Sequence, residues 1–484
     1  MARHGHGQPV WVDDPDADPT ARTRLPVVVI GAGPVGLAAA AHLLDRGLEP
    51  LVLEAGPQVG ANVAQWRHVR LFSPWCLALD PASVRLLDQV GWTGPDPDAL
   101  PTGADLLERY LEPLAALPVL ASRTRLKTTV VAVARRDLDK VRSPGRDQLP
   151  FLVRVRDHGG RVRDLQARAV IDASGTWTQP NPLGASGLPA LGEADAAAWV
   201  AYGLPDILGA DRGRYAGRRT VVVGAGHSAA TSLLALAELQ RQAPGTQIVW
   251  AVRSATPRPL VGKGSAEADE LPARGRLATD LAALVDAGRV DLVAGLRIHA
   301  VEPAGDRLRL VGDQLHDQDR ADAQVLRVEA DQVIAATGFR PDHSIAAELR
   351  LGLEPALESP TALGPLIDPN VHTCGTVPAH GIAELAHPEP GYVIVGMKSY
   401  GRAPTFLLAT GYQQVRSVVA ALAGDRADAA RCDQGPPATA MCAINRRLLA
   451  AGHRRFAASP AEPAGAMPLA TAADWSAATC CPIP

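Results

Sequence analysis

The chain has 484 residues, 47% hydrophobic and 20% charged, a profile that builds sizeable cores and, at about 150 residues per domain, two or three of them. Its net charge of −3 gives no whole-chain case for binding nucleic acid or a membrane surface. Lysine stands only at 127, 140, 263 and 398 among the 48 basic residues, so a single arginine carries little information here and a lysine rather more.

Residues 1 to about 23 are polar and acidic, lack the apolar run of a signal peptide, and read as disordered. The stretch from Leu25 to Leu44 is interrupted by three glycines, Pro34 and His42, so it parses as strand, turn and helix rather than a membrane span. Val27-Val28-Val29-Ile30 is the β-branched run of a buried parallel strand. A helix over Leu37–Asp45 and a second strand, Leu51–Glu54, complete a βαβ unit. Within it, Gly31-x-Gly33-x-x-Gly36 opens the helix, with Pro34 at its start. The first glycine permits the turn, the second a close approach of backbone to a pyrophosphate, and the third close packing of helix on strand. Glu54 ends the second strand, where a carboxylate accepts both hydroxyls of an unphosphorylated ribose, as in FAD or NAD.

The same grammar recurs. Thr220–Val223 leads into Gly224-x-Gly226-His227-Ser228-Ala229, a helical stretch Leu233–Arg241 and a strand Ile248–Arg253. This second strand ends in Arg253, with Arg258 and Lys263 beyond. Guanidinium groups there bind a 2′-phosphate that a carboxylate would repel, so NADPH is expected over NADH. Two more apolar strands end in similar turns, Ala173-Ser174-Gly175 and Ala336-Thr337-Gly338. The alternation predicts an α/β fold with two Rossmann-like dinucleotide-binding domains, the second inserted into the first. Expected bounds are 24–183 with 340–424 for the outer domain, 184–339 for the insert, and 425–484 for an Ala/Pro-rich tail.

These motifs resemble those of the two-dinucleotide-domain flavoproteins, which implies FAD in the outer domain and NADPH in the insert. Gln65-Trp66-Arg67, continuing to Leu71-Phe72-Ser73-Pro74, resembles the W-R…L-R-L…T-P stretch of class B flavin monooxygenases, and Pro101-Thr102-Gly103 to Leu111 resembles the helix that follows it. Gly396-Met397-Lys398 to Thr405, before a helix with Gln413 and Gln414, stands where that family's last FAD-contacting element lies. The likeness spans roughly residues 25–424 and is similar, more weakly, to flavoproteins of arsenic-resistance gene clusters. The chain departs from the family's F-x-G-x-x-x-H signature: Leu183 to Tyr202 holds Gly184 and Gly187 but no histidine.

Six cysteines, at 76, 374, 432, 442, 480 and 481, are too few for a disulfide scaffold, and a reducing, cytoplasmic location is expected. No C-x-x-C or C-x4-C pair exists to serve as a dithiol redox centre, and Cys76 and Cys374 read as solitary. Cys374 is either a thiolate assisted by His372 or an inert buried thiol. Cys480-Cys481 resembles the tail pair of mercuric reductase, either a ligand pair for a soft metal or metalloid or an incidental exposed pair. Lys398 is a candidate catalytic cation near the flavin, or else a solvated loop lysine.

The expected activity is an NADPH-dependent FAD monooxygenase acting on a small molecule with molecular oxygen. A soft nucleophile (sulfur, nitrogen or a trivalent metalloid) would be oxygenated through a flavin peroxide. The alternatives are an NADPH-dependent reductase of a thiophilic substrate using Cys480 and Cys481, and a non-catalytic redox- or metalloid-binding flavoprotein. No nucleic acid, membrane or resident metal is expected, and the oligomeric state is open.

Overall fold

The computed structural model describes residues 25–255, 271–315, 324–371, 377–378, 380–404 and 406–431. The chain divides into two compact units. One comprises Met1–Arg67, Pro74–Thr176 and Pro341–Pro484, the other His68–Ser73 and Trp177–Arg340. The second unit takes in the short segment His68–Ser73, which precedes its main stretch in the chain.

In the outer unit, β1 (Val27–Ile30) runs parallel to β2 (Pro50–Leu53), which is joined to it by α1 (Pro34–Asp45). After α2 (Pro81–Asp88) come the two-residue β3 (Thr124–Arg125) and an antiparallel meander. The meander is β4 (Thr128–Arg135), β5 (Phe151–Asp157) and β6 (Val162–Ala167), and β7 (Ala169–Asp172) returns to the other side of β1. The insert repeats the plan. It contains β8 (Val200–Tyr202), β9 (Arg219–Val223), α3 (His227–Gln242), β10 (Gln247–Ala251), α4 (Pro272–Asp286) and β11 (Asp291–Val293). A second meander follows, β12 (Leu296–Ala304), β13 (Arg307–Gln314) and β14 (Gln324–Ala330), before β15 (Gln332–Ala335) pairs with β9. The chain re-enters the outer unit at Pro341 and later forms β16 (Tyr392–Ile394), a 3₁₀ turn over Gly396–Tyr400, α5 (Leu408–Leu422) and α6 (Arg426–Ala430).

Each unit therefore carries a five-stranded parallel sheet, β16-β7-β1-β2-β3 and β11-β10-β9-β15-β8, with β1 and β9 central. The sequence reason is the same twice. Val27–Val29 and Val221–Val222 are 0% exposed, because parallel strands covered on both faces need an unbroken apolar run. Each fully buried Val or Ile contributes about 1.5–3 kcal/mol. Both first helices begin earlier than their apolar content suggests, at Pro34 and His227, because the glycine turn feeds straight into the helix. Among the described residues no helix is long and apolar enough to cross a membrane.

Candidate functional site

Each unit holds one dinucleotide-type cradle at the carboxyl edge of its parallel sheet, the edge at which doubly wound folds bind ligands. In the outer unit Gly31 has φ +97°, and a Cβ there would stand 2.8 Å from the Ala173 carbonyl oxygen. A Cβ on Gly36 would stand 2.0 Å from the Gly31 oxygen. Both positions are glycine for internal reasons. Gly33 is different: its φ of −79° suits any residue and a Cβ would meet nothing within 4 Å. Nothing within the protein requires glycine there, and the open space beside the backbone has room for a pyrophosphate. Gly33 N-caps α1 with no side-chain acceptor, so the first N–H groups of the helix face outward as an anion site. Glu54 Oε2 accepts the Ala32 N–H and Oε1 the Gly56 N–H, both at 2.7 Å, which fixes the half-buried carboxylate beside the turn with lone pairs to spare for ribose hydroxyls.

Around this cradle lie the other expected residues. Gln65 and Arg67 are exposed, Arg67 Nη2 pairing with Glu108 Oε1 at 2.5 Å, while Trp66 lies tightly against Gly103. Gly175 takes φ +72° in its turn. Met397 is half-buried in the 3₁₀ turn after β16, whose first residue, Gly396 (φ +71°), backs onto Val35 of α1.

Lys398 is not a solvated loop residue. It is 1% exposed, and its Nζ donates to Asp172 Oδ2 at 2.7 Å and to Ser174 Oγ at 3.1 Å. Tyr392 Oη donates to the same Oδ2 at 2.9 Å, and Ser174 donates to Oδ1 from Oγ (2.6 Å) and N (3.1 Å). Burial pushes the Asp172 carboxyl up, but the Lys398 ammonium and these hydrogen bonds outweigh it and hold the group below the usual carboxylate range. The ion pair thereby pins the Ser174–Gly175 turn. Buried histidines stand nearby in sequence. His387 donates from Nδ1 to the Gly352 carbonyl, its Nε2 is buried with no hydrogen-bond partner, and burial pushes its pKa down to about 4. His380 donates from Nδ1 to Pro378 O and accepts from Gln414 Nε2 at 3.0 Å. Gln414 Oε1 in turn accepts the Gly396 N–H at 2.8 Å. The sequence noted Gln414 but gave no sign of this chain of bonds.

In the inserted unit Gly224 has φ +135°, and a Cβ would stand 2.2 Å from the Ala336 oxygen. Its own carbonyl accepts from Trp250 Nε1 at 2.7 Å. Gly226 mirrors Gly33, with φ −92°, open space where a Cβ would be, and no side-chain cap on the helix that follows. His227 packs on Phe72 (ring centroids 5.2 Å apart), Ser228 is half-buried, and Ala229 is fully buried under the turn. Gly338 (φ +86°) closes the opposing turn, which Asn181 Nδ2 braces by donating to Thr337 O at 3.1 Å. Where the first cradle has Glu54, this one has an exposed Arg253, with one N–H on the Ala185 carbonyl at 3.2 Å. Arg253 lines a cavity of about 600 Å³ with Ser254, Ser186, Arg297 and His299. The Arg297 Nε is buried and has no hydrogen-bond partner. A bulge between Ile298 and Ala300 interrupts the alternation of β12, and Arg297, Ile298 and His299 all line the cavity together with Asp313, whose Oδ1 is 3.8 Å from His299 Nε2. No pattern in the sequence marks this lining, because the bulge is set by the pairing of β12 with β13.

One expectation is overturned. Cys76, 1% exposed in the short helix Trp75–Ala78, is disulfide-bonded and so is not solitary. The other five cysteines, including Cys374, Cys480 and Cys481, lie outside the described residues, as do Arg258 and Lys263. Among the described residues no group of three or more His, Cys, Asp or Glu is placed to hold a metal ion.

Residues 26–143 match the FAD dependent oxidoreductase (DAO) family. No curated protein matches the chain. Solved structures do. A bacillithiol disulfide reductase from Bacillus cereus superposes with a TM-score of 0.57 at 18% identity, covering 87% of this chain and 99% of that one. A cadaverine monooxygenase of desferrioxamine biosynthesis from Erwinia amylovora gives 0.55 at 13%, covering 92% and 99%. An ornithine hydroxylase from Pseudomonas aeruginosa gives 0.54 at 14%, covering 87% and 99%. Residues 26–143 thus match an FAD dependent oxidoreductase model, and the chain shares the fold of these solved structures.

Proposed function

We propose that this chain is an NADPH-dependent FAD monooxygenase that oxygenates a soft nucleophile, a sulfur, a nitrogen or a trivalent metalloid, of a small molecule. The observation that carries the reading is a pair of dinucleotide cradles in a sequence with no C-x-x-C or C-x4-C dithiol to lead electrons away. FAD, when bound, supplies the hydride acceptor and the centre that reacts with oxygen.

The residues divide the work. The outward N–H groups at Gly33 and the start of α1 would hold the FAD pyrophosphate, and Glu54 the adenosine ribose. Lys398 is a positioning residue in this reading, because its Nζ is committed to Asp172 and Ser174 and so fixes the turn beside the first cradle. Gly226 and the start of α3 would take the NADPH pyrophosphate, and Arg253 with Arg297 the 2′-phosphate as charge-assisted donors. Fusion of fold likenesses does not choose among reactions, since the neighbours named above include both monooxygenases and a disulfide reductase.

A second reading is an NADPH-dependent reductase of a thiophilic substrate using Cys480 and Cys481, which lie outside the described residues. Oxygen dependence separates the two. The FAD-loaded chain is supplied with NADPH and a panel of thiols, amines and trivalent arsenicals, and oxygen uptake is followed beside product. Oxygen, NADPH and product in equal amounts support the proposal. Turnover that proceeds without oxygen, or oxygen that ends wholly as hydrogen peroxide with every substrate, overturns it.

A further inference from the structure

In the inserted unit the start of the second meander is stitched to the end of β10. The Leu296 N–H donates to the Val252 carbonyl at 3.0 Å, and the Gly295 N–H to the Ser254 carbonyl at 2.9 Å. These bonds carry β12 past Arg253, the residue at which the second cradle departs from the first. The strand then bulges, its register with β13 shifting between Ile298 and Ala300, so that His299 is the extra residue. A bulge re-aims the side chains around it, and this one is pinned along the edge that faces away from β13. Ala185 N–H donates to the Ile298 carbonyl and Leu191 N–H to the His299 carbonyl, each at 2.9 Å. Arg297, Ile298 and His299 consequently all line the cavity of about 600 Å³ that Arg253 also lines.

The lining is unbalanced in charge. Its charged and titratable groups are Arg253 from the end of β10, Arg297 and His299 from β12, and Asp313 from β13, while Ala185 and Ser186 bring none. Among the described residues neither arginine has an ion-pair partner. Arg253 gives one N–H to the Ala185 carbonyl at 3.2 Å, and Arg297 makes no side-chain hydrogen bond, its Nε being buried. One carboxylate thus stands with two guanidinium groups, and the wall is positive even with the imidazole neutral. Asp313 lies opposite Arg297 in the ladder, and its Oδ1 is 3.8 Å from His299 Nε2. That is beyond hydrogen-bond reach, and no side-chain hydrogen bond holds the imidazole among the described residues. Both side chains are 50% exposed, so the ring nitrogens are open to a ligand.

A guanidinium group binds phosphate with the same charge at any working pH, whereas histidine changes its charge between pH 5 and 8. A proton on His299 stands against two guanidinium groups, and a phosphate dianion in the same cavity reverses that penalty. Proton and phosphate then favour each other by the same factor.

We propose that His299 is a third ligand of the coenzyme 2′-phosphate, joining Arg253 and Arg297 when it takes up a proton, so that the preference for NADP+ over NAD+ strengthens as the pH falls toward neutral. Asp313 supports the protonated ring. This rests on the reading of the second cradle as an NADPH site and adds the proton as a co-ligand there.

The test is calorimetric titration of the FAD-loaded chain with NADP+ and with NAD+ at pH 8 and at pH 6.5. The ratio of the two affinities cancels the effects that both nucleotides share. In the unaltered chain the ratio is expected to rise about threefold between pH 8 and pH 6.5. In His299→Gln that rise is lost, leaving only the titration of the phosphate itself, which runs the other way because a monoanion binds more weakly. In His299→Arg, charged throughout, the ratio at pH 8 is expected about threefold above that of the unaltered chain, with no further rise at pH 6.5. The half-exposed position lets both variants keep the fold, and an unchanged melting curve verifies this. A pH dependence of the ratio that is the same in His299→Gln as in the unaltered chain would overturn the proposal and leave the NADPH reading in place. Equal affinity for NADP+ and NAD+ at both pH values in the unaltered chain would instead overturn that reading, and this proposal with it.

Discussion

The two cradles differ least where backbone meets backbone and most where the second strand ends. Gly31 and Gly224 are both forced by positive φ and by a facing carbonyl, and Gly33 and Gly226 are both small with no internal reason to be. At the strand ends, Glu54 is fixed by two backbone N–H groups, whereas Arg253 stands exposed beside an unpaired, buried Arg297 Nε. The opposing turns differ too. A buried ion pair, Lys398–Asp172, braces the first, and a neutral Asn181 braces the second. A common frame can thus be given opposite ligand chemistry by residues that the frame does not constrain.

The difference between the braces is the easiest to break. Lys398→Met leaves the Asp172 carboxylate buried and uncompensated, at a cost of about 3–5 kcal/mol in urea unfolding, whereas Asn181→Ala costs about 1–2 kcal/mol. Equal losses would mean that the ion pair braces nothing. The outer unit also carries the buried histidines. His387 is held near 4 by burial, below its unfolded value of about 6.5, and burial depresses His380 and His343 in the same direction. Their contribution is fully present above pH 6.5 and is lost as the unfolded chain gains protons between pH 6.5 and 4, up to about 3 kcal/mol for His387 alone. Melts recorded across that window should decline with acid, and His387→Gln should flatten the decline.

Gly33→Ala sharpens the comparison from the other side. With open space for its Cβ, it should leave the unfolding of the apoprotein within about 0.5 kcal/mol and yet weaken FAD about tenfold, and Gly226→Ala should raise the KM for NADPH similarly. A drop in apoprotein stability instead would give those glycines an internal role. Smallest is Glu54→Gln, where one backbone N–H loses its acceptor, about 1 kcal/mol in FAD-free stability.

The strands and glycine turns were legible in the sequence because an unbroken Val/Ile run and a fixed glycine spacing have few other structural uses. The braces were not. Asp172 and Lys398 stand 226 positions apart, and no local pattern announces that the ends of β7 and β16 meet. Arg297 and His299 were hidden too, because a bulge between Ile298 and Ala300, set by the pairing with β13, interrupts the alternation that a sequence pattern would show. Spacing could not reveal the bond at Cys76, because a disulfide partner is set by the fold.

The claim that the second cradle reads a 2′-phosphate is tested most directly by stopped-flow reduction of the bound flavin with NADPH and with NADH. NADPH should reduce it at least about tenfold more efficiently, and Arg253→Gln and Arg297→Gln should each remove most of that preference while NADH reduction stays as it was. Equal use of the two coenzymes by the unaltered chain, or a preference that survives both substitutions, would contradict the account.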